Sequence, residues 1–237
     1  MSENTVAREC SSCRKRLASY FRRHSGERLC GICLHRNLVR EVKRSFSKIS
    51  KKGFRLKIAI PVYSRKIVES IVLMRILSEV EMEFNSEVVG VVLDEELIEC
   101  SPVLRKHCRD LVFTSLSGDL FEVSDIERAI ANLAIRLDIV ALPETLSDLL
   151  TQFLKNLVSR YEVMKPRVYS KFSDIEVLIP MYRVLKTDII AYAHISGILK
   201  SLDCFNPAVE KVDILEKLTT QLSLKHSELV YRFLHSV

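Results

Sequence analysis

Five apolar runs leave little choice of architecture. LKIAIPV (56–62), EVVGVVLD (87–94), DLVFTSL (110–116), DIVALP (138–143) and IEVLIPM (175–181) are short and rich in β-branched residues, and each is followed by a stretch with helix-like spacing. A strand with one wet face alternates apolar and polar residues. Runs that are apolar throughout are buried on both faces, which requires a parallel sheet covered by helices and joined by right-handed crossovers. The expected helices lie at 66–80, 101–110, 124–137, 145–160 and 186–199, the third capped by Ser124 and Asp125, with further helix over 207–236. That last stretch suits folding onto the sheet or meeting another subunit. The predicted fold class is α/β, a parallel sheet of about five strands sandwiched by helices. The 237 residues, 48% hydrophobic, suffice for one such domain and a small appendage.

The appendage is the head of the chain. Residues 1–57 hold 16 Lys and Arg against 4 Asp and Glu, about +12, whereas residues 58–237 hold 20 against 26, about −6. Segregated charge of this kind draws polyanions to one end, although a solubilising basic tail has the same composition. Within the head, CSSC and CGIC place Cys10, Cys13, Cys30 and Cys33 as two Cys-x-x-Cys pairs with sixteen residues between them. Two such knuckles can bring four soft thiolates to one tetrahedral ion, so a structural Zn2+ is expected, with no open position for catalysis. The alternatives are two disulfides or a redox pair, but neither pair follows an apolar strand. His35, two residues after Cys33, is a substitute ligand in principle. Tyr20 and Phe21, among arginines, suit either base stacking or the small core of the finger, and the latter is expected. LHRNLVREVKRSFSKI then has the period of a basic amphipathic helix. The expected division is 1–53, a zinc finger with a basic linker helix, and 54–237, the α/β body with its C-terminal helices.

The loop after the first strand raises the functional question. Strand, short loop and helix are the layout by which α/β proteins present backbone N–H groups to phosphate. Here the loop reads Tyr63, Ser64, Arg65, Lys66, Ile67, Val68 and has no glycine. Without glycine the backbone cannot approach phosphates closely, so ATP binding is not expected. Asp94, Glu95 and Glu96 follow the second strand at the edge where such sheets bind ligands, as site carboxylates or as a solvated loop.

These elements, in this order, resemble the PP-loop ATPases that thiolate tRNA, the TtuA type and its cytoplasmic tRNA 2-thiolation relatives, with the fold also called HUP-like or adenine nucleotide alpha hydrolase-like. The resemblance runs over nearly the whole chain and is clearest in LIPMYRVLKTDIIAYAHISGILKSLDCFNP, where Pro180, Tyr182, Arg183, Tyr192 and Cys204 fall at patterned positions and Asp188 near an acidic one. Three motifs of the pattern and its C-terminal knuckles are missing. Ser-Gly-Gly-x-Asp-Ser is replaced by the Tyr63–Val68 stretch, in which only Lys66 survives at a variable basic position. Thr-Gly-His-Asn-Leu-Asp-Asp is replaced by LPETLSD, keeping Leu146 and Asp148. The middle Cys-x-x-Cys is absent, and so are the C-terminal knuckles.

The resemblance therefore implies a non-catalytic relative, a pseudoenzyme that binds tRNA or scaffolds thiolation beside an active PP-loop subunit or as a homodimer. Remnant site residues would be Tyr63, Ser64, Arg65, Lys66 and Asp148, with Cys204 a remnant nucleophile or a partly buried thiol. Because one thiolate cannot hold a [4Fe–4S] cluster, no iron–sulfur cluster is expected. Cys100 and Cys108 read as packing residues. The alternatives are an active sulfurtransferase using Lys66, Asp148 and Cys204, and a zinc-finger regulator of nucleic acid. RNA contacts are expected from Arg14, Lys15, Arg16, Arg22, Arg23, Arg36, Arg40, Lys43 and Arg44. A cytoplasmic location is expected, because the N-terminus has no signal-peptide apolar region and no run nears the length of a membrane span.

Overall fold

The computed structural model describes residues 8–47, 56–84, 86–114, 126, 129–130, 133, 136–160, 167–172, 174–202, 204 and 214–236. The head contributes a two-stranded antiparallel ribbon, β1 (Tyr20–Arg22) and β2 (Glu27–Leu29), and the helix α1 (Gly31–Phe46). The body begins at β3 (Lys57–Val62) and continues through α2 (Ile67–Phe84), β4 (Glu87–Val92), the short α3 (Ser101–Leu104), β5 (Asp110–Phe113), β6 (Ile139–Ala141), α4 (Leu146–Arg160), β7 (Tyr169–Phe172) and β8 (Ile175–Leu178). Four helices follow: α5 (Lys186–Ile195), α6 (Ile198–Ser201), α7 (Ile214–Lys225) and α8 (Ser227–Ser236).

All five predicted strands are present and mutually parallel, in the order β5-β4-β3-β6-β8. In chain order that is 3-2-1-4-5, the doubly wound arrangement. A sixth strand, β7, pairs antiparallel with β8 at the edge. Its sequence, YSKF, is short and polar, as an edge strand allows, and so lacks the apolar signature of its neighbours. The helix expected over 101–110 stops at Leu104 and becomes a turn. Most of 124–137, with the cap at Ser124 and Asp125, lies outside the described residues, although Ile126, Ala129 and Ile130 are buried.

The core lies on both faces of the sheet. One layer joins Ile58, Ile60 and Val62 of β3 to α2, and then to Leu29, Leu34, Leu38 and Val42 of the head. The other packs Ala59, Val89, Val91 and Val140 against Ile126, Ile130 and Leu149. Spacing in α2 suggests one apolar stripe through Ile67, Ile71, Met74 and Leu77, yet Val72, Leu73, Ile76 and Val80 are buried as well. The reason is that α1 and α5 cover the outer side of α2, so it is a central helix, apolar nearly all round. Gly90 of β4 permits this close packing, since a Cβ there would lie 2.7 Å from Leu111 and 3.1 Å from the sulfur of Met74. No helix among the described residues is long and apolar enough to cross a membrane.

Candidate functional site

Strand order reverses direction at β3, whose neighbours are β4 on one side and β6 on the other. The crevice beyond the carboxyl ends of β3 and β6 is where open α/β sheets bind ligands. The chain enters it from Tyr63, makes a single 3-10 turn over Ser64–Lys66, and continues as α2. The N–H of Ser64, at the mouth of that turn, donates to the Asp94 carboxylate at 2.5 Å. The group that in this layout would face a phosphate oxygen is thus held by a carboxylate of the chain itself.

Lys66 turns into the crevice, its side chain only 11% exposed. Its ammonium is 2.5 Å from Asp148, 3.3 Å from Glu144 and 4.0 Å from Glu69. Lys186, at the start of α5, lies 3.5 Å from Glu69 and 3.4 Å from Glu216. The Tyr63 hydroxyl donates to Glu144 at 2.8 Å, and the N–H and hydroxyl of Thr145 donate to Asp148 at 2.8 and 2.7 Å. Burial opposes charge on both lysines, but Asp148, Glu144 and Glu69 around Lys66, and chiefly Glu69 beside Lys186, outweigh it and raise both pKa values. Burial also raises the Tyr63 phenol, with Glu144 adding to it. The two carboxylates beside Lys66 differ: burial wins at Glu144 and raises it, whereas Lys66 overcomes burial at Asp148 and lowers it. Lys66 and Asp148, singled out from the sequence, are brought together, while Arg65 is exposed. Glu69, Glu144, Lys186 and the role of Asp94 were not foreseen. Glu144 lies within the LPETLSD segment, but its pairing depends on the β3/β6 juxtaposition.

The second candidate site is in the head. The thiol sulfurs of Cys10, Cys13, Cys30 and Cys33 all lie within 4.8 Å of one another, Cys13 and Cys30 at 3.9 Å. Sulfurs around one tetrahedral ion at about 2.3 Å stand roughly 3.8 Å apart, so the set fits a metal centre. The first knuckle turns at Arg14, whose φ of 52° is left-handed and whose N–H bonds the Cys10 carbonyl at 2.8 Å. The second knuckle is the start of α1, with Cys30 as N-cap, where the helix dipole favours thiolate. Burial pushes the Cys10 thiol up, but backbone N–H groups of Cys13, Cys30 and Ser12 more than offset it and bring it to about 6; burial pushes Cys33 up to about 11. His35 is no ligand: it bonds Glu79 at 2.7 Å and stacks on Tyr192.

Of the residues expected to meet RNA, Arg36, Arg40, Lys43 and Arg44 form a stripe along α1, opposite its buried Leu34, Leu38 and Val42. They line a groove of about 600 Å3, and Arg36 and Arg40 also line one of about 570 Å3 with Lys15 and Arg16. Arg14 and Arg23 are exposed. Arg22 is turned inward, 2.9 Å from Glu27 and 3.1 Å from Asp188. The buried Asp188 also accepts the Tyr20 hydroxyl at 2.7 Å, and Ser45 donates to the carbonyl of Pro180 at 2.8 Å, so the head is latched to the body. The expected aromatic mini-core forms in part: Tyr20 packs against the core that holds Leu29 and Leu34, whereas Phe21 is half exposed beneath the Arg28 guanidinium, 5.6 Å from its ring. Cys204 and Cys100, read as separate thiols, are bonded to each other.

No protein-family model and no curated protein matches the chain by sequence. Among solved structures it is similar to the U34-tRNA thiolase NcsA from Methanococcus maripaludis, solved with its [4Fe–4S] cluster. The TM-score is 0.75 at 15% identity, over 98% of this chain and 86% of that one. The fold is therefore that of a tRNA thiolase, as the resemblance in sequence implied. The expectation that no iron–sulfur cluster is held is corrected. A protein of this fold carries one, and the four thiolates here are a donor set that serves iron–sulfur centres as well as zinc. Two Cys-x-x-Cys pairs do not by their spacing distinguish zinc from an iron–sulfur centre, and Cys204 is not one of the four clustered thiols.

Proposed function

We propose that this chain is a non-catalytic, tRNA-binding or scaffolding component of tRNA uridine 2-thiolation, acting beside an active thiolase subunit. The thiolase fold supports the setting. The observation that carries the non-catalytic reading is the state of the crevice: the Ser64 N–H is held by Asp94, and Lys66 by Asp148, Glu144 and Glu69. An ATP phosphate would have to displace these carboxylates from a glycine-free turn, and each would remain in the crevice, Glu69 almost fully buried, beside the incoming anion.

The head supplies what such a component needs. Cys10, Cys13, Cys30 and Cys33 would hold a metal centre that fixes the two knuckles, and the cationic stripe of α1 would lie on phosphates. Isothermal calorimetry with ATP and filter binding with folded tRNA test the two halves together. The expected result is tRNA binding that falls steeply with salt and no ATP binding at millimolar concentration. Micromolar ATP affinity, abolished by Lys66→Ala, would overturn the non-catalytic reading in favour of a sulfurtransferase with a divergent loop.

A further inference from the structure

The seam between head and body carries apolar side chains where the surroundings are cationic. Leu17 is 60% exposed, Ile32 44% and Ile195 36%, and all three line one groove of about 510 Å3 with Arg16, Arg75 and His35. Its floor is narrow because Gly31 lets α1 touch α5: a Cβ at Gly31 would sit 2.7 Å from Ile195. The Tyr192 ring is covered, stacked with His35 at 5.4 Å between centroids and overlain by the Arg75 guanidinium at 5.9 Å. It therefore rigidifies the wall and leaves the surface to the aliphatic side chains, the guanidinium groups of Arg16 and Arg75, and the Glu79 carboxylate that His35 and Arg75 neutralise.

This groove is continuous with the two cationic grooves. It shares Arg16 with one and His35 and Glu79 with the other. A helical duplex presents phosphates and sugars and keeps its bases stacked inside, so it has nothing to place on Leu17 or Ile32. An unpaired nucleotide presents both chemistries at once: an apolar base face for an aliphatic or guanidinium surface, and a phosphate for the adjoining arginines.

We propose that the Leu17–Ile32–Ile195 groove is a subsite for unpaired nucleotides of an RNA loop, set beside the phosphate-binding stripe of α1. This rests on the RNA reading above and specifies it: the head distinguishes looped from fully paired RNA. Aliphatic side chains cannot read base identity, so the subsite selects unpaired structure and not sequence.

The test is a fluorescence-anisotropy titration of the full, metal-loaded chain with a stem–loop RNA and with a blunt duplex bearing the same number of phosphates. The unmodified chain should prefer the stem–loop. Leu17→Ser with Ile32→Ser should lose about tenfold on the stem–loop, the scale of one stacked base, and leave the duplex unchanged. Ile195→Ser, on the body side and away from the metal knuckles, should shift the same preference in the same direction, which guards against misfolding of the head. Arg36→Glu with Arg40→Glu should weaken both RNAs alike. Equal binding of the two RNAs by the unmodified chain, or apolar variants that change neither or both equally, would overturn the subsite while leaving RNA binding intact. Failure to bind either RNA at low salt would overturn the RNA reading itself.

Discussion

The crevice and the head both concentrate cations, and they treat them in opposite ways. In the crevice Lys66 and Lys186 face carboxylates from α2, the β6–α4 turn, the first turn of α4 and α7, with Lys66 largely and Lys186 partly withdrawn from water. Along α1, Arg36, Arg40 and Arg44 reach solvent on a face whose other side is pinned to the core. Desolvated cations matched by internal anions hold a shape, whereas exposed cations on a rigid support remain available to an external polyanion. A phosphate entering the first would have to displace internal anions, whereas the second presents its cations without that competition. The contrast separates fold from activity: the sheet still places a loop at the switch point, but the chain answers its own loop.

The largest effect that would disturb this contrast is loss of the metal centre. Because Cys10, Cys30 and Cys33 pack in the same core layer as Leu34, Leu38 and the body residues Ile58 and Ile71, stripping the centre should disorder the head and loosen α1 from α2. Apparent free energies of structural metal binding reach about 10–16 kcal/mol in small knuckles. Cys10→Ser with Cys33→Ser should abolish bound metal, measured as zinc and iron by elemental analysis, and remove amide-exchange protection across 10–46. Protection that survives metal loss would show that the head folds on packing alone.

Next in size is the crevice. Lys66→Met leaves Glu144 and Asp148 buried without their cation and should destabilise the chain by about 3–5 kcal/mol in urea titrations. Lys66→Met with Asp148→Leu should recover much of that, since a matched apolar replacement removes both charges. The pH dependence has a definite sign. Lys66, Lys186 and Tyr63 all hold their protons more tightly in the fold than in the unfolded chain. Their contribution is complete below about pH 10, the unfolded range, and is lost as pH rises beyond it. The urea midpoint should therefore fall between about pH 10 and 12 more steeply in the unmodified chain than in the Lys66→Met, Asp148→Leu variant.

What could be read ahead of the structure follows from the range of each interaction. The five central strands, the cysteine knuckles and the two faces of α1 are visible because apolar period and ligand spacing are local. Lys66 and Asp148 were visible as isolated survivors of a pattern. Their partners were not: Asp94 reaches Ser64 only because β3 and β4 end side by side, thirty residues apart. Likewise Tyr20 and Asp188, 168 residues apart, meet only once the head has docked, and the Cys100–Cys204 pairing spans 104 residues. Connectivity of that kind has no signature in spacing. The edge strand β7 was missed because an edge needs no apolar run, and Arg22 because a cation in a basic segment reads as exposed until its partners are known.

A smaller effect tests the head from outside. Reversing Arg36 and Arg40 to Glu should weaken tRNA binding at low salt and reduce the slope of log affinity against log salt by about two, since each lost phosphate contact removes close to one released counterion. The fold should be unchanged, because both side chains are exposed and the Glu41 and Asn37 side chains that Arg40 meets lie on the same helix. Reversal of Lys217 on α7, an exposed lysine far along the chain from the head, should leave the slope as it was. A change from the single Lys217 reversal half as large as that from the two arginines would mean that total charge, and not the α1 face, governs binding.

The smallest expected effect concerns the latch that keeps the two regions in register. The Tyr20 hydroxyl donates to Asp188 beside the Arg22 pair, and burial together with Asp188 raises the phenol's pKa, so it stays protonated as a donor across the ordinary pH range. Tyr20→Phe keeps the ring and removes one hydrogen bond to a charged acceptor, which should cost about 1.5–3 kcal/mol at most and less if Arg22 closes on Asp188. Asp188→Asn should cost more, because it removes the buried negative charge that lies 3.1 Å from the inward Arg22 guanidinium. In a double-mutant cycle the two substitutions should be strongly non-additive, as expected of groups in direct contact. If they act through the latch, the loss will also appear in RNA binding as a weaker preference for the stem–loop, because the Leu17 and Ile32 side of the groove belongs to the head and the Ile195 side to the body. Additive effects on stability, with the stem–loop preference intact, would show that α1 packing alone fixes the seam.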